Sequence, residues 1–150
     1  MNKFQAIWLT GQHASGKTTL ANLIIEELSK ESKKNYFNID GDDLRDLFQN
    51  KDYSEKGRKI NIRLGMSIAA YLINKGFIPI ISLVSPYKDL REEFKSKYNV
   101  LEVYVHTSEV RGKEHYFVKN YEPPKDQFLD MDTTYKSEKE SLDEILNVYR

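Results

Sequence analysis

The 150-residue sequence predicts an α/β fold in three layers, a parallel sheet flanked on both sides by helices, with a short lid. Three observations carry that reading. Strand-length apolar runs alternate with amphipathic helical stretches from Phe4 to Val105. A glycine-rich octet, Gly11 to Thr18, joins the first strand to the first helix. Ile78 to Leu83 is apolar at nearly every position, as a strand covered on both faces is.

Phe4 to Thr10 is strand-length and rich in β-formers, and it ends at Gly11. From Lys17 the period changes: Leu20, Leu23, Ile24 and Leu28 recur at helical spacing until Ser29 to Lys34 turns polar. Tyr36 to Ile39 is a second strand. The acidic turn Asp40-Gly41-Asp42-Asp43 then feeds a short helix over Asp43 to Phe48. Ser54 to Asn74 is a long helix whose packing face is read as Ile60, Leu64, Ile68, Tyr71 and Leu72, with Gly76 as its stop. After the Ile78 to Leu83 strand, Ser85-Pro86 opens a helix carrying Leu90 and Phe94, and Leu101, Val103 and Val105 alternate as the next strand. Residues 107–124 hold two prolines and no sustained period, which suggests a functional loop or lid. Phe128-Leu129 is a last short strand, and Ser137 to Tyr149 closes the chain as an amphipathic helix through Leu142, Ile145, Leu146 and Tyr149.

At 39% hydrophobic and 31% charged residues the chain suits one soluble domain, residues 1–150. Lysine plus arginine and aspartate plus glutamate both number 23, so no global basic field is available to hold a nucleic acid polymer. The absence of cysteine removes disulfides, thiolate metal sites and cysteine nucleophiles, and fits a reducing, cytoplasmic setting. The longest apolar run, Phe77 to Val84, is far short of the about 20 residues of a membrane span. No targeting segment or internal repeat is legible.

Gly11-Gln12-His13-Ala14-Ser15-Gly16-Lys17-Thr18 matches the phosphate-binding pattern G-x-x-x-x-G-K-[ST], and it stands where that pattern belongs, between a strand and a helix. The fold class is therefore of the P-loop NTPase type. Glycines let backbone N–H groups turn in around phosphate oxygens, and the helix adds its positive N-terminal end. Gly11, Ala14, Ser15, Gly16, Lys17, Thr18 and Thr19 are the ATP-binding candidates. Lys17 is read as a catalytic contact to the β- and γ-phosphates, and Thr18 as a ligand of Mg²⁺. His13 is read as a loop side chain rather than a catalytic one. No Asn-Lys-x-Asp-like base-recognition element follows late in the chain, which speaks for a small-molecule kinase over a GTPase.

At the end of the second strand, Asp40, Asp42 and Arg45 stand at the carboxyl edge where ligands of open α/β sheets bind. A carboxylate there can hold the metal or take the proton of an acceptor hydroxyl, and Arg45 can pair with an anionic acceptor. Asp40 is the second catalytic candidate and a metal ligand, and Asp42 and Arg45 are acceptor-binding candidates.

The sequence resembles the adenylylsulfate kinases in four motifs taken in family order. These are Trp8-Leu9-Thr10-Gly11 with its phosphate loop, Asp40-Gly41-Asp42-x-x-Arg45, Tyr53-Ser54-x-x-x-Arg58-x-x-Asn61-Ile62-Arg63, and Ser85-Pro86-Tyr87. A weaker match resumes at Tyr121-Glu122-Pro123-Pro124. The resemblance implies transfer of the ATP γ-phosphate to the ribose 3′-hydroxyl of adenylylsulfate, with Arg58, Asn61 and Ser85 at the acceptor and a homodimer as the assembly. The helical period sets Arg58, Asn61 and Gly65 on one face, opposite Ile60 and Leu64. Within 107–124, Lys113 and Lys119 are the cations expected to meet phosphate, Lys113 as an acceptor contact.

The chain departs from the family at Ala14, where a glycine is usual, at Gly57, where an aspartate is expected, and at Leu64, where a second arginine is expected. The family's lid motifs are not recognisable between Thr107 and Tyr121. These departures leave two acceptors open, adenylylsulfate or a cytidine diphosphate derivative such as the substrate of the cytidine diphosphoramidate kinases of capsule biosynthesis. A non-catalytic nucleotide-binding module and a polynucleotide 5′-hydroxyl kinase are the competing classes, the second disfavoured by the zero net charge.

Overall fold

In the computed structural model, which describes residues 3–112 and 114–150, five parallel strands form one sheet in the order β2-β3-β1-β4-β5. The strands are β1 (Ala6–Thr10), β2 (Tyr36–Asp40), β3 (Ile78–Leu83), β4 (Val100–His106) and β5 (Phe128–Asp132). The helices are α1 (Lys17–Glu31), α2 (Gly41–Phe48), α3 (Glu55–Asn74), α4 (Lys88–Lys97) and α5 (Glu138–Tyr149). Every residue of β1 and β3 is buried, so their unbroken apolar character is what two covered faces require. The registers Leu9↔Ser82, Asp40↔Ser82 and Thr10↔Tyr104 bring the ends of β2, β3, β1 and β4 to one edge.

The core divides at the sheet. On one side Ile7, Leu9, Val103 and Met131 pack against Leu20 and Ile24 of α1 and Ile145 of α5. On the other, Trp8, Ile81 and Leu83 pack against Leu44 of α2, Ile62 and Met66 of α3, and Phe94 of α4. Among the described residues no helix is long and apolar enough to cross a membrane.

Four expectations change. The second helix begins at Gly41 rather than Asp43, because the Asp40 carboxylate caps it by accepting from the backbone N–H groups of Asp42 and Asp43. The fourth helix begins at Lys88, since Ser85, with φ 39, and Pro86 remain in a loop whose carbonyls accept from Arg91 and from the Glu122 amide. The last strand runs on to Asp132, paired in parallel with β4.

The largest correction concerns α3. Ile60 and Tyr71 are 48% and 62% exposed, and the face turned to the sheet is Gly57, Asn61, Ile62, Gly65, Met66 and Ala69. Small residues bring the helix close: a Cβ on Gly65 would stand 3.1 Å from Leu83 Cδ1 and 3.3 Å from Leu44 Cδ1. Asn61 and Gly65 thus share a face with the packing residues rather than lying opposite them.

Among the described residues of 107–124 there is one 3₁₀ turn, Glu114–Tyr116, and the others are irregular chain, of which Val118, Tyr121 and Glu122 dock at the sheet edge. Arg91, fully buried on α4, holds the far end. Its Nε donates to Glu102 Oε2 at 2.8 Å, and its two terminal nitrogens donate to the carbonyls of Ser85 and Glu122. Lys95 adds a second cation to Glu102, at 2.7 Å. A buried pair broken on one side leaves an uncompensated charge, so Glu102→Ala is expected to cost roughly 3–5 kcal/mol in urea unfolding. Lys59→Ala, which removes an exposed i,i+4 partner of Glu55, should leave the urea midpoint nearly unchanged.

Candidate active site

β1 delivers the chain to Gly11, where a Cβ would overlap the Val105 carbonyl oxygen, so only glycine lets the loop pass this close to β4. The loop closes over Lys17, the first residue of α1, which is only 8% exposed. Its ammonium donates to the Gln12 carbonyl at 2.7 Å and to Ser15 Oγ at 3.4 Å. Burial pulls this amine down to about 8, with Asp40 and Asp42 pushing back toward the charged form. Thr18 Oγ1 donates to Asp40 Oδ1 at 2.9 Å, and Ser82 Oγ reaches the same oxygen at 3.4 Å. Lys17, Thr18, Thr19, Asp40 and Asp42 line a cavity of about 240 Å³ at the amino end of α1. A helix N-terminus, an ammonium and a hydroxyl converging on one space make an anion site.

A narrower cavity of about 60 Å³ adjoins it, and His13, Gly41, Asp42 and Val84 line both. Arg45, Tyr53, Arg58, Asn61 and Val118 complete its polar and apolar walls. Asn61 is 6% exposed; Nδ2 donates to the Gly41 carbonyl at 3.4 Å, while Oδ1 is buried and has no partner. A buried acceptor without a partner, on a residue that lines a cavity, makes Asn61 a candidate ligand contact. Arg45 lies 4.0 Å over the Tyr53 ring and donates to Asn50 Oδ1 and to the Asn50 and Asp52 carbonyls. Burial, with Lys17 and Arg58 nearby, holds His13 below the ordinary imidazole value, although Asp42 opposes this.

Most of the expected site residues converge here. Ala14, Gly16, Lys17, Thr18, Thr19 and Asp40 line the first cavity, Arg45, Arg58, Asn61 and Ser85 the second, and Asp42 both. Gly11 and Ser15 are buried and line neither. Ser85 contributes wall rather than an available hydroxyl, because its Oγ accepts from Trp8 Nε1 at 3.0 Å and lies 2.9 Å from Thr10 Oγ1. Lys113 lies outside the described residues, and Lys119 is exposed. Ala14 sits at φ 59, the left-handed backbone that favours the glycine usual there. At Gly57 an added Cβ would overlap Asp52, so the loop before α3 occupies the space an aspartate side chain would need.

Gln12, Arg111 and Val118 were not foreseen, and Tyr121 was marked only by the weaker family match. Arg111 Nη1 donates to the Ala14 carbonyl at 3.0 Å, and the Tyr121 hydroxyl meets Thr10 Oγ1. No local pattern marks a residue whose role is a contact 97 positions away.

The adenylylsulphate kinase family model matches residues 3–137. An adenylyl-sulfate kinase of Burkholderia ambifaria is 36% identical over 107 residues, 69% of this chain, which spans only 59% of that protein's length. A protein of Halalkalibacterium halodurans named probable adenylyl-sulfate kinase is 30% identical over 169 aligned positions, covering 98% of this chain and 81% of the relative. The Mycobacterium tuberculosis APS kinase CysC, solved in complex with AMPPNP and APS, superposes with a TM-score of 0.82 at 22% identity, covering 99% of this chain and 98% of that one, a likeness of fold.

The depressed Lys17 amine has a measurable consequence. Phosphate anions favour the ammonium, so binding takes up a proton wherever the free amine is neutral, above about pH 8. Calorimetric titration of Mg-ATP in buffers of different ionisation enthalpy should show uptake approaching one proton at pH 9 and little at pH 7. Affinity should fall by up to about tenfold per pH unit above the amine's value. Lys17→Arg should abolish the pH 9 uptake.

Proposed function

The chain belongs to the adenylylsulphate kinase family, and from that premise we propose that it is an ATP-dependent phosphotransferase acting on the ribose 3′-hydroxyl of a small nucleotide, adenylylsulfate first. The observation that carries this reading is the pair of adjoining cavities, one walled by Lys17 and Thr18 and the other by Arg58 and Asn61. A donor phosphate in the first faces an acceptor in the second. In this reading residues 1–150 are one kinase domain, 107–124 its lid, and a homodimer its assembly.

In the proposed reaction the acceptor hydroxyl oxygen bonds to the γ-phosphorus as the bond to the β–γ bridging oxygen breaks and ADP leaves. The Lys17 ammonium neutralises charge that grows on the phosphoryl oxygens. The Asp40 carboxylate takes the hydroxyl proton, and Asp42, which lines both cavities, orients the acceptor. Arg45 and Arg58 meet its anionic tail. Thr18 and Asp40 are the residues that would hold Mg²⁺. They offer hard oxygen donors 2.9 Å apart, and no cluster of three or more His, Cys, Asp or Glu is found among the described residues, which suits an ion that takes its other ligands from phosphate and water. Bound there, it would neutralise the β- and γ-phosphates.

A second reading keeps the chemistry and changes the acceptor to a cytidine diphosphate derivative, as in cytidine diphosphoramidate transfer for capsule biosynthesis. The observation favouring it is that Val118, from the 107–124 segment in which the family's lid motifs are not recognisable, lines the narrower cavity.

Rates of ADP formation with adenylylsulfate and with cytidine diphosphate acceptors, products mapped by phosphorus NMR, decide between them. The two should differ in kcat/KM by at least about 100-fold, since a wall that pairs with one base leaves polar groups unpaired against the other. Equal rates would mean that the wall does not read the base. Transfer to neither, with ATP bound, would favour the non-catalytic module.

Lys17→Ala should lower turnover by about three orders of magnitude or more with the fold intact. Asp40→Asn should abolish transfer while ATP affinity, read by calorimetry, holds. An active Asp40→Asn protein beside an inactive Asp42→Asn one would exchange the two carboxylate roles.

A further inference from the structure

Gln12 joins the two cavities by bonds at both of its ends. Its backbone carbonyl accepts from the Lys17 ammonium at 2.7 Å. Its carboxamide makes both bonds that one residue's backbone allows: Nε2 donates to the Val118 carbonyl and Oε1 accepts from the Val118 amide, each at 2.9 Å. Val118 is 7% exposed and forms part of the wall of the narrower cavity. Giving and taking on a single residue's backbone needs a carboxamide; a carboxylate takes only, and alanine does neither.

Earlier in the segment Arg111 also meets the phosphate loop, donating to the Ala14 carbonyl at 3.0 Å, and the stretch after Val118 is held elsewhere. Tyr121 meets Thr10, the Glu122 carbonyl accepts from Arg91, and the Glu122 amide donates to the Pro86 carbonyl at 3.0 Å. Those ties fix the far end to the sheet and the β3–α4 loop, so Gln12 is the link between the phosphate loop and Val118.

We propose that Gln12 is a positioning residue that couples occupancy of the phosphate cradle to the wall of the adjoining acceptor cavity. The proposal rests on the reading of the two cavities as donor and acceptor sites. The Lys17 ammonium is held by a neutral carbonyl and a hydroxyl, both within the loop. A triphosphate offers charged oxygens, with which neutral acceptors compete poorly. When the ammonium turns to phosphate, the Gln12 backbone loses its strongest partner, and its adjustment passes through the carboxamide to Val118. The coupling is reciprocal: an acceptor that leans on Val118 changes nucleotide affinity by the factor by which nucleotide changes its own.

Hydrogen exchange followed by mass spectrometry over residues 117–121, with and without Mg-AMPPNP, tests this without any acceptor. In the wild-type chain nucleotide should change the exchange rate there by at least about threefold, the scale of one or two neutral hydrogen bonds. In Gln12→Ala and Gln12→Glu the change should vanish while AMPPNP affinity stays within about twofold. A wild-type chain with no response, variants that respond as the wild type does, or variants that lose AMPPNP would each overturn the proposal. In the kinetic arm, with adenylylsulfate, Gln12→Ala should raise acceptor KM at saturating ATP by about three- to tenfold and leave the KM for ATP at low acceptor concentration nearly unchanged. An unchanged acceptor KM would overturn it too. If the wild-type chain does not phosphorylate adenylylsulfate, the acceptor reading fails, and the exchange experiment still decides the role of Gln12.

Discussion

A lysine ammonium held at 8% exposure is costly unless something answers its charge, and the carboxyl edge of this sheet is organised around that cost at Lys17. The loop supplies a carbonyl and a hydroxyl, and Asp40 and Asp42 supply field from the neighbouring strand end. These partners leave the amine pulled down to about 8, still short of what a phosphate would provide. The parallel sheet makes the arrangement possible, because β1, β2 and β3 deliver Gly11, Asp40 and Ser82 to the same edge in matched register. Asp40 then serves twice, as the cap of α2 and as the acceptor for Thr18. Both contacts need the same thing, a carboxylate fixed at a strand end.

A second buried charge system holds the opposite side of the site. Arg91 and Glu102, both at or below 1% exposure, form a pair that Lys95 completes. Its use is specificity of position: one guanidinium ties Ser85 in the wall of the narrower cavity to Glu122 of the 107–124 segment. The end of this segment is therefore anchored at the sheet rather than left as a free flap. Trp8, Thr10, Ser85 and Tyr121 add a hydrogen-bonded chain across the same seam, which explains why the Ser85 hydroxyl is spent inside the protein.

The candidate site was legible where chemistry and sequence neighbourhood coincide. The octet Gly11 to Thr18 carries its meaning locally, since a strand, a tight turn and a helix start must be contiguous to cradle phosphate. Asp40, Asp42 and Arg45 were legible because they follow a strand whose end faces that loop. Arg58 and Asn61 needed the family resemblance, for on a helix surface such residues are ordinarily solvated. Gln12 and Arg111 were illegible for the opposite reason: each acts through a partner about a hundred positions away, and a glutamine in a loop has no periodicity to betray it, whereas Tyr121 was marked only by the weaker family match.

The sequence by itself determined the order and type of the elements, the parallel sheet and the phosphate loop, because burial on two faces and turn chemistry leave period and composition in short segments. Tertiary structure alone decided which face of α3 meets the sheet. The large residues Ile60 and Tyr71 suggested one face, but Leu44 and Leu83 already fill the space, so the face with Gly57, Gly65 and Ala69 is the one that can approach. That choice turned Asn61 inward beside Gly41 and left its carbonyl oxygen unpartnered at the narrower cavity. Hydrophobic period measures only how much a residue gains by burial; close packing decides whether it fits, and fit depends on side chains from other strands and helices.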